Sequence, residues 1–225
     1  MKIFVDSANL NDIEEALKHG FPKGITTNPS ILSKEEKCDF KEHVQKIISL
    51  LDRYEYHIPL SVEVFTNDPK EMLRQSEEFI KHFGNYPYLN IKVPIGWNEL
   101  EVISELKKRG IRVNCTCCMS LNQAIMAAEA GADFVSLFYN RIRDVGYDAK
   151  VVVESVCSLF KQWDVPAQVI VGSIRHIYDV NEAFLAGTDI VTIPPKFFPQ
   201  LSAHPKTDEA VSQFISDFQD WTQAK

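Results

Sequence analysis

The sequence lacks any long apolar opening: in Met1-Lys2-Ile3-Phe4-Val5-Asp6 the apolar run is only three residues before an acid, too short for a signal peptide or a membrane span. It also lacks an excess of positive charge. Lys and Arg number 24 against 31 Asp and Glu, a net charge of −7, so nothing draws the chain as a whole towards nucleic acid or an anionic membrane. Any anionic small molecule must therefore meet a local basic cluster. A disulfide framework is missing too, because the five cysteines, Cys38, Cys115, Cys117, Cys118 and Cys157, are odd in number and scattered. Reduced thiols and the opening sequence together predict a cytoplasmic protein. No low-complexity linker interrupts the chain, and no glycine-rich turn follows the first strand to cradle a dinucleotide. What is present is ordinary globular material, 45% hydrophobic and 24% charged, at a length of 225 residues that a single barrel domain commonly reaches.

Strands and helices alternate along the chain. The spacing predicts strands at Ile3–Asp6, Gly24–Thr27, Leu60–Val64, Asn90–Pro94, Ile111–Thr116, Asp133–Phe138, Ala167–Val171 and Asp189–Ile193, with a helical pattern after each of the first seven. Helix starts are marked by Asp68-Pro69, by Asn98 with Glu101 and by Ser120 with Gln123, both pairs in capping-box spacing. Gly84, Gly110 and Gly131 mark helix ends. Strict alternation implies a parallel sheet with right-handed crossovers, and eight units favour closure into an α/β (β/α)8 TIM barrel over an open sheet. Residues 1–225 read as one domain. Within it, 206–225 form an added amphipathic helix with Ala210, Val211, Phe214, Ile215, Phe218 and Trp221 on one face. A weak internal repeat sets Ala130-Gly131-Ala132-Asp133-Phe134-Val135-Ser136 beside Ala186-Gly187-Thr188-Asp189-Ile190-Val191-Thr192.

The chemistry centres on Asn90-Ile91-Lys92-Val93-Pro94. Residues alternate faces along a strand, so Lys92 lies opposite Ile91 and Val93. On an edge strand such a lysine would snorkel to solvent; inside a barrel its amine is a nucleophile able to form Schiff bases with carbonyl compounds. The other strands also end in polar groups: Asp6, Thr26 and Asn28, Glu63, Asn114 and Thr116, Ser136, Ser173 and Arg175. Asp6, Asn28 and Ser173 have a second reading as helix caps or turn formers. A ring of polar strand ends around one lysine, however, is where a barrel keeps an active site.

Five segments carry a family resemblance: Val5-Asp6-Ser7-Ala8-Asn9, Gly24-Ile25-Thr26-Thr27-Asn28-Pro29-Ser30, Ser61-Val62-Glu63-Val64, Ile91-Lys92-Val93-Pro94 and Ser173-Ile174-Arg175-His176. Together they resemble the transaldolase family, in particular its short single-domain branch, which includes fructose-6-phosphate aldolases. The resemblance implies that Lys92 attacks a ketose C2 carbonyl and that the iminium then serves as electron sink for cleavage between C3 and C4. Asp6 would shuttle the proton of the C4 hydroxyl, and Glu63 with Thr116 would hold the water that moves protons. Asn28 and Asn114 would bind the hydroxyls of the retained three-carbon unit, while Ser136 and Thr26 line the pocket. Arg141 and Arg175, with Ser173 beside them, would receive the phosphate, supplying the basic cluster that the overall charge does not. No cofactor or metal is implied. The partners expected are phosphorylated sugars and further copies of the chain in a homo-oligomer formed through the C-terminal helix, and the resemblance to the short branch points to a decamer.

Several positions depart from the resemblance. Cys115-Thr116-Cys117-Cys118 stands where apolar or small residues are usual; alternation points Cys115 and Cys117 away from Asn114 and Thr116, towards the helices, as buried thiols rather than metal ligands. Asn140 and Pro194-Pro195 are further departures at the pocket rim, and Arg143 reads as a solvated surface charge. Phe138 and Glu63 match the transferase side of the resemblance, where aldolases carry tyrosine and glutamine. Three functions remain open on these residues: a transaldolase, an aldolase releasing free dihydroxyacetone, and a barrel that only binds sugar phosphates.

Overall fold

A computed structural model describes residues 1–223. The chain divides into two compact units, one ending at Pro195 and the other beginning at Lys196.

The first unit is a closed parallel barrel in which eight strands pair in sequence order. Its elements are β1 (Lys2–Asp6), α1 (Leu10–Lys18), β2 (Ile25–Thr26), α2 (Pro29–Leu32), α3 (Phe40–Arg53), β3 (Leu60–Glu63), α4 (Pro69–Phe83) and β4 (Leu89–Pro94). They continue with α5 (Glu99–Lys108), β5 (Val113–Cys118), α6 (Leu121–Glu129), β6 (Phe134–Phe138), α7 (Tyr139–Asp144), α8 (Ala149–Gln162), β7 (Gln168–Gly172), α9 (Ile177–Leu185) and β8 (Ile190–Ile193). The short helices α2 and α7 were not expected. Each follows the last residues of a strand so closely that no helical periodicity has room to develop.

The helices form where the sequence gives them caps and one apolar stripe. Asp68 accepts from the Lys70 amide to start α4, and Met72, Ser76, Phe79 and Phe83 are its buried face. Asn98, by contrast, makes no side-chain cap on α5, so the capping box expected with Glu101 is not formed. At α6 the Ser120 hydroxyl accepts from the Gln123 amide as expected, while the Gln123 side chain turns to the Met119 amide. Strand β5 starts two residues later than expected. The Ile111 amide bonds back to Leu106 in the helix-ending turn, and the Asp133 carboxylate takes the Val113 amide at 2.9 Å.

The barrel floor is apolar: Phe4, Phe134, Ile170 and Ile190 form a buried cluster in which the Phe4 and Phe134 rings meet edge to face at 6.2 Å. Gly24 is required beside it, since a Cβ at that position would lie 2.4 Å from the Phe4 ring. Polar residues occupy the interior above this floor.

A 3-10 turn (Pro195–Phe197) begins on the last residue of the first unit, and the second unit, described by itself, contains α10 (Phe198–Ser202) and α11 (Pro205–Gln223). The helix expected over 206–225 is thus present to Gln223; 224–225 lie outside the described residues. Its stripe of Val211, Phe214, Ile215, Phe218 and Trp221 is exposed, each residue between 49% and 74%. Among the described residues no helix is long and apolar enough to cross a membrane.

Candidate active site

Strand register assembles the site. Glu63 pairs with Lys92 across β3 and β4, Lys92 with Asn114 across β4 and β5, and Asp6 with Thr26 across β1 and β2. Residues level in a ladder and pointing inward lie side by side in the barrel, so five consecutive strands, β1 to β5, deliver their polar ends to one place.

Lys92 is buried, 4% exposed, and its Nζ lies 3.0 Å from Glu63 Oε2 while donating to the Thr27 carbonyl at 2.8 Å. The carboxylate of Asp6 accepts from Thr26 Oγ1 at 2.9 Å, and Thr26 in turn meets Thr192 Oγ1 at 2.5 Å. Burial holds the Asp6 carboxyl above its ordinary range, against the pull of the Lys92 charge, the Thr26 hydroxyl and Lys34. Thr116 Oγ1 is buried with no hydrogen-bond partner among the described residues, although it borders the same cavity. A hydroxyl left unpaired inside a polar pocket is suited to a substrate oxygen or a water.

These groups open onto a cavity of about 480 Å³ that also presents Asn28, Ser136, Phe138, Arg141 and Ser173. Asn28 holds both of its expected characters, since its Oδ1 caps α2 through the Ile31 amide while the residue borders the cavity. Asn114 sits behind the lining, donating to Ser61 and accepting from Ser136 Oγ at 2.7 Å. The Arg141 guanidinium lies 5.7 Å over the Phe138 ring. Arg175 does not border the cavity. Its two terminal nitrogens are held by Asp144 at 2.7 and 2.6 Å, an exposed bidentate pair.

Two sequence-based expectations are corrected. Cys117 does not point towards the helices: the ladder between β5 and β6 breaks its register between Cys115 and Cys118, Cys117 takes a positive φ of 62°, and its thiol borders the cavity beside Thr116. One extra residue in a strand reverses every alternation after it. Burial and the nearby Glu63 carboxylate push that thiol above its usual range. Cys115 and Cys118 are buried with their sulfurs 4.0 Å apart, and among the described residues no trio of His, Cys, Asp or Glu is grouped as metal ligands would be. Arg143 is not a solvated charge either. It pairs with Asp179 at 2.9 Å and with Glu182, and lies 4.7 Å over the Tyr139 ring.

Lys34 and Thr192 also border the cavity and were not foreseen. The internal repeat carried a signal for Thr192, because it sets this residue opposite Ser136; Lys34 follows a helix too short to leave a pattern.

Residues 3–225 match the profile of the Transaldolase/Fructose-6-phosphate aldolase family. The chain belongs to that family. It is 39% identical to a probable transaldolase of Dehalococcoides mccartyi over 218 residues, 97% of this chain and 98% of the relative. A probable transaldolase of Roseiflexus sp. strain RS-1 is 38% identical over 225 residues, all of both chains, and probable transaldolase 1 of Listeria monocytogenes is 36% identical over the same span. A transaldolase-type enzyme on a closed barrel is therefore what the fold, the site and the comparisons support in common. The family assignment gives the cluster of Lys92, Glu63 and Asp6 an enzymatic setting in place of the binding-only barrel.

Proposed function

We propose that this enzyme is a class I transaldolase, moving a dihydroxyacetone unit from a ketose phosphate such as fructose 6-phosphate or sedoheptulose 7-phosphate to an aldose phosphate. The observation that carries the reading is the buried Lys92 ammonium, 3.0 Å from the Glu63 carboxylate in a cavity shared with Asp6. Glu63 takes a proton from Lys92, the amine attacks C2, and loss of water leaves an iminium. Asp6 then removes the C4 hydroxyl proton as the bond between C3 and C4 breaks and its electrons move to the iminium nitrogen. The first aldehyde leaves, the enamine carbon attacks the acceptor aldehyde, and Asp6 returns the proton to the new hydroxyl. A carboxyl held above its usual range by burial suits transfer in both directions.

In this reading Thr116 and Glu63 hold the water of dehydration and hydrolysis, and Asn28 and Asn114 secure the three-carbon unit, with Thr26 and Ser136 beside them. Arg141 and Ser173 receive the phosphate, joined by Arg175 once it leaves Asp144. Phe138 sets an apolar ring where an aldolase would need a proton donor, which favours retention of the enamine until an acceptor arrives. The Lys92 iminium is itself the electron sink, so the proposed steps call on no cofactor. The reading places the enzyme in the cytoplasm, in pentose phosphate metabolism, as a homo-oligomer in which α11 covers its apolar stripe on a neighbouring copy.

The test is reduction with borohydride in the presence of fructose 6-phosphate, followed by peptide mass mapping. Added mass is expected on the peptide containing Lys92 and none in Lys92→Met; an unlabelled Lys92 in an active enzyme would sink the mechanism. Glyceraldehyde 3-phosphate release should be slow from fructose 6-phosphate alone and fast with erythrose 4-phosphate. Equal rates would make the enzyme an aldolase.

A further inference from the structure

Asp179 is outside the cavity, only 1% exposed, and is the most heavily engaged carboxylate in its region. Its Oδ2 accepts from the Arg175 amide at 3.0 Å, the His176 amide at 2.9 Å and Asn140 Nδ2 at 2.6 Å, and its Oδ1 accepts from Arg143 at 2.9 Å. These bonds tie α7 to the segment between β7 and α9. Both elements carry phosphate candidates: Arg141 is on α7, and Ser173 and Arg175 are on the connecting segment.

The segment needs such a tie. Ser173 has a φ of 60°, a conformation that an L residue holds only against a steric penalty and only where its surroundings fix it. Its carbonyl accepts from Asn140 Nδ2 at 2.8 Å, and the amides that follow, of Arg175 and His176, both end on Asp179. On α7 the residues that face α9 are Tyr139, Asn140 and Arg143, the Tyr139 hydroxyl reaching Glu182 at 3.1 Å. Arg141 belongs to the other face and borders the cavity. Burial by itself would raise the Asp179 carboxyl, yet hydrogen bonds from Asn140 and the two amides, with the Arg143 charge, hold it below the usual range. It is therefore ionised, a fixed acceptor for every donor aimed at it.

We propose that Asp179 is a positioning residue for the phosphate end of the substrate, holding the strained Ser173 and the α7 that carries Arg141 in one geometry. The inference rests on the proposed reading that Arg141 and Ser173 receive the phosphate. It separates two jobs within one network: the three bonds on Oδ2 set the anion site, and the Arg143 pair on Oδ1 supports the packing of α7 on α9.

The experiment measures acceptor KM and kcat with erythrose 4-phosphate and with unphosphorylated erythrose, for the intact chain and for Asp179→Asn, Asn140→Ala, Arg143→Gln and Arg141→Gln. Asp179→Asn is expected to raise KM for the phosphorylated acceptor about tenfold, with kcat at saturation changed less than about threefold and KM for erythrose unchanged. Asn140→Ala, which removes the Nδ2 bonds to Asp179 and to the Ser173 carbonyl together and leaves the Arg143 pair in place, should move the same constant in the same direction, and it decides whether this network holds the site if Asp179→Asn does not fold. Arg143→Gln should lower the thermal midpoint and leave both KM values alone. Equal losses with the two acceptors, or a KM unmoved in Asp179→Asn, or in Asn140→Ala where that variant decides, would overturn the positioning role. Arg141→Gln keeps the two failures apart: if it leaves KM for erythrose 4-phosphate unchanged, the anion site itself is misassigned; if it raises that KM while the Asp179 and Asn140 variants do not, only the inference about Asp179 falls.

Discussion

The Asp6 carboxyl is held above its ordinary value of 3.8 by burial, so only between that value and the folded one does the folded state keep a proton that the unfolded chain has released. Stability from this group is present below the unfolded value and declines as pH rises towards the folded one, leaving a penalty at neutral pH. Asp6→Asn should therefore raise the thermal midpoint at pH 7, by roughly 2–4 °C for each kcal/mol relieved, and the advantage should shrink as pH falls towards 4. The same substitution should reduce transfer by about 100- to 10,000-fold while leaving borohydride capture of dihydroxyacetone on Lys92 intact. Calorimetry over pH and a coupled transfer assay check both halves. In the proposed mechanism Phe138 bears on proton supply to the enamine. Phe138→Tyr puts a hydroxyl near that carbon and should increase acceptor-independent release of glyceraldehyde 3-phosphate by about tenfold, read in the same coupled assay with erythrose 4-phosphate omitted.

Among the elements, the two repeated segments show one device used twice. Gly131 and Gly187 leave their helices with positive φ, and two residues later Asp133 and Asp189 each take an amide at the start of a strand, that of Val113, the first residue of β5, at 2.9 Å and that of Val169, the second of β7, at 2.8 Å. That carboxylate fixes where the strand begins and hence which residues reach the site. Strand β5, begun in this way, ends in the bulge that turns Cys117 inward. The floor beneath the site depends on Gly24 in a different way, through space. Gly24→Ala sets a methyl against the Phe4 ring and should destabilise the barrel by about 1–3 kcal/mol. A fall in thermal midpoint of roughly 2–12 °C is the expected reading, with no change in the acceptor preference of the enzyme that stays folded.

For the whole molecule, net charge and apolar surface point to different uses. A charge of −7 keeps the chain away from polyanions, and the cations of the site act locally. The exposed stripe on α11, in which the Phe218 and Trp221 rings lie 5.9 Å apart, is apolar surface of the kind that assembly covers. Phe214→Glu combined with Phe218→Glu should convert the proposed oligomer to a monomer in sedimentation at micromolar concentration, since two carboxylates cannot be buried unpaired. A monomer before substitution would refute the assembly. Transfer per subunit should persist, because the residues of the site all lie in the barrel unit.

The amino-acid sequence by itself determined the alternation of eight strands and their helices, the apolar stripe of α11 and the polar residue types at the strand ends. Periodicity and caps act within a few residues and are written locally. It also determined that Lys92, Glu63 and Asp6 lie on inward faces near the ends of their strands. Only the tertiary structure decided what meets across the barrel. Register placed Glu63 level with Lys92, the bulge between Cys115 and Cys118 reversed the alternation that pointed Cys117 outward, and Asp179, far along the chain, captured Arg143 from a solvated reading. Arg175 was legible as a cation at a strand end, but its partner Asp144 comes from another element. A side chain's type is local, whereas its partner depends on closure of the sheet, because a one-residue change in register turns every later side chain to the opposite face.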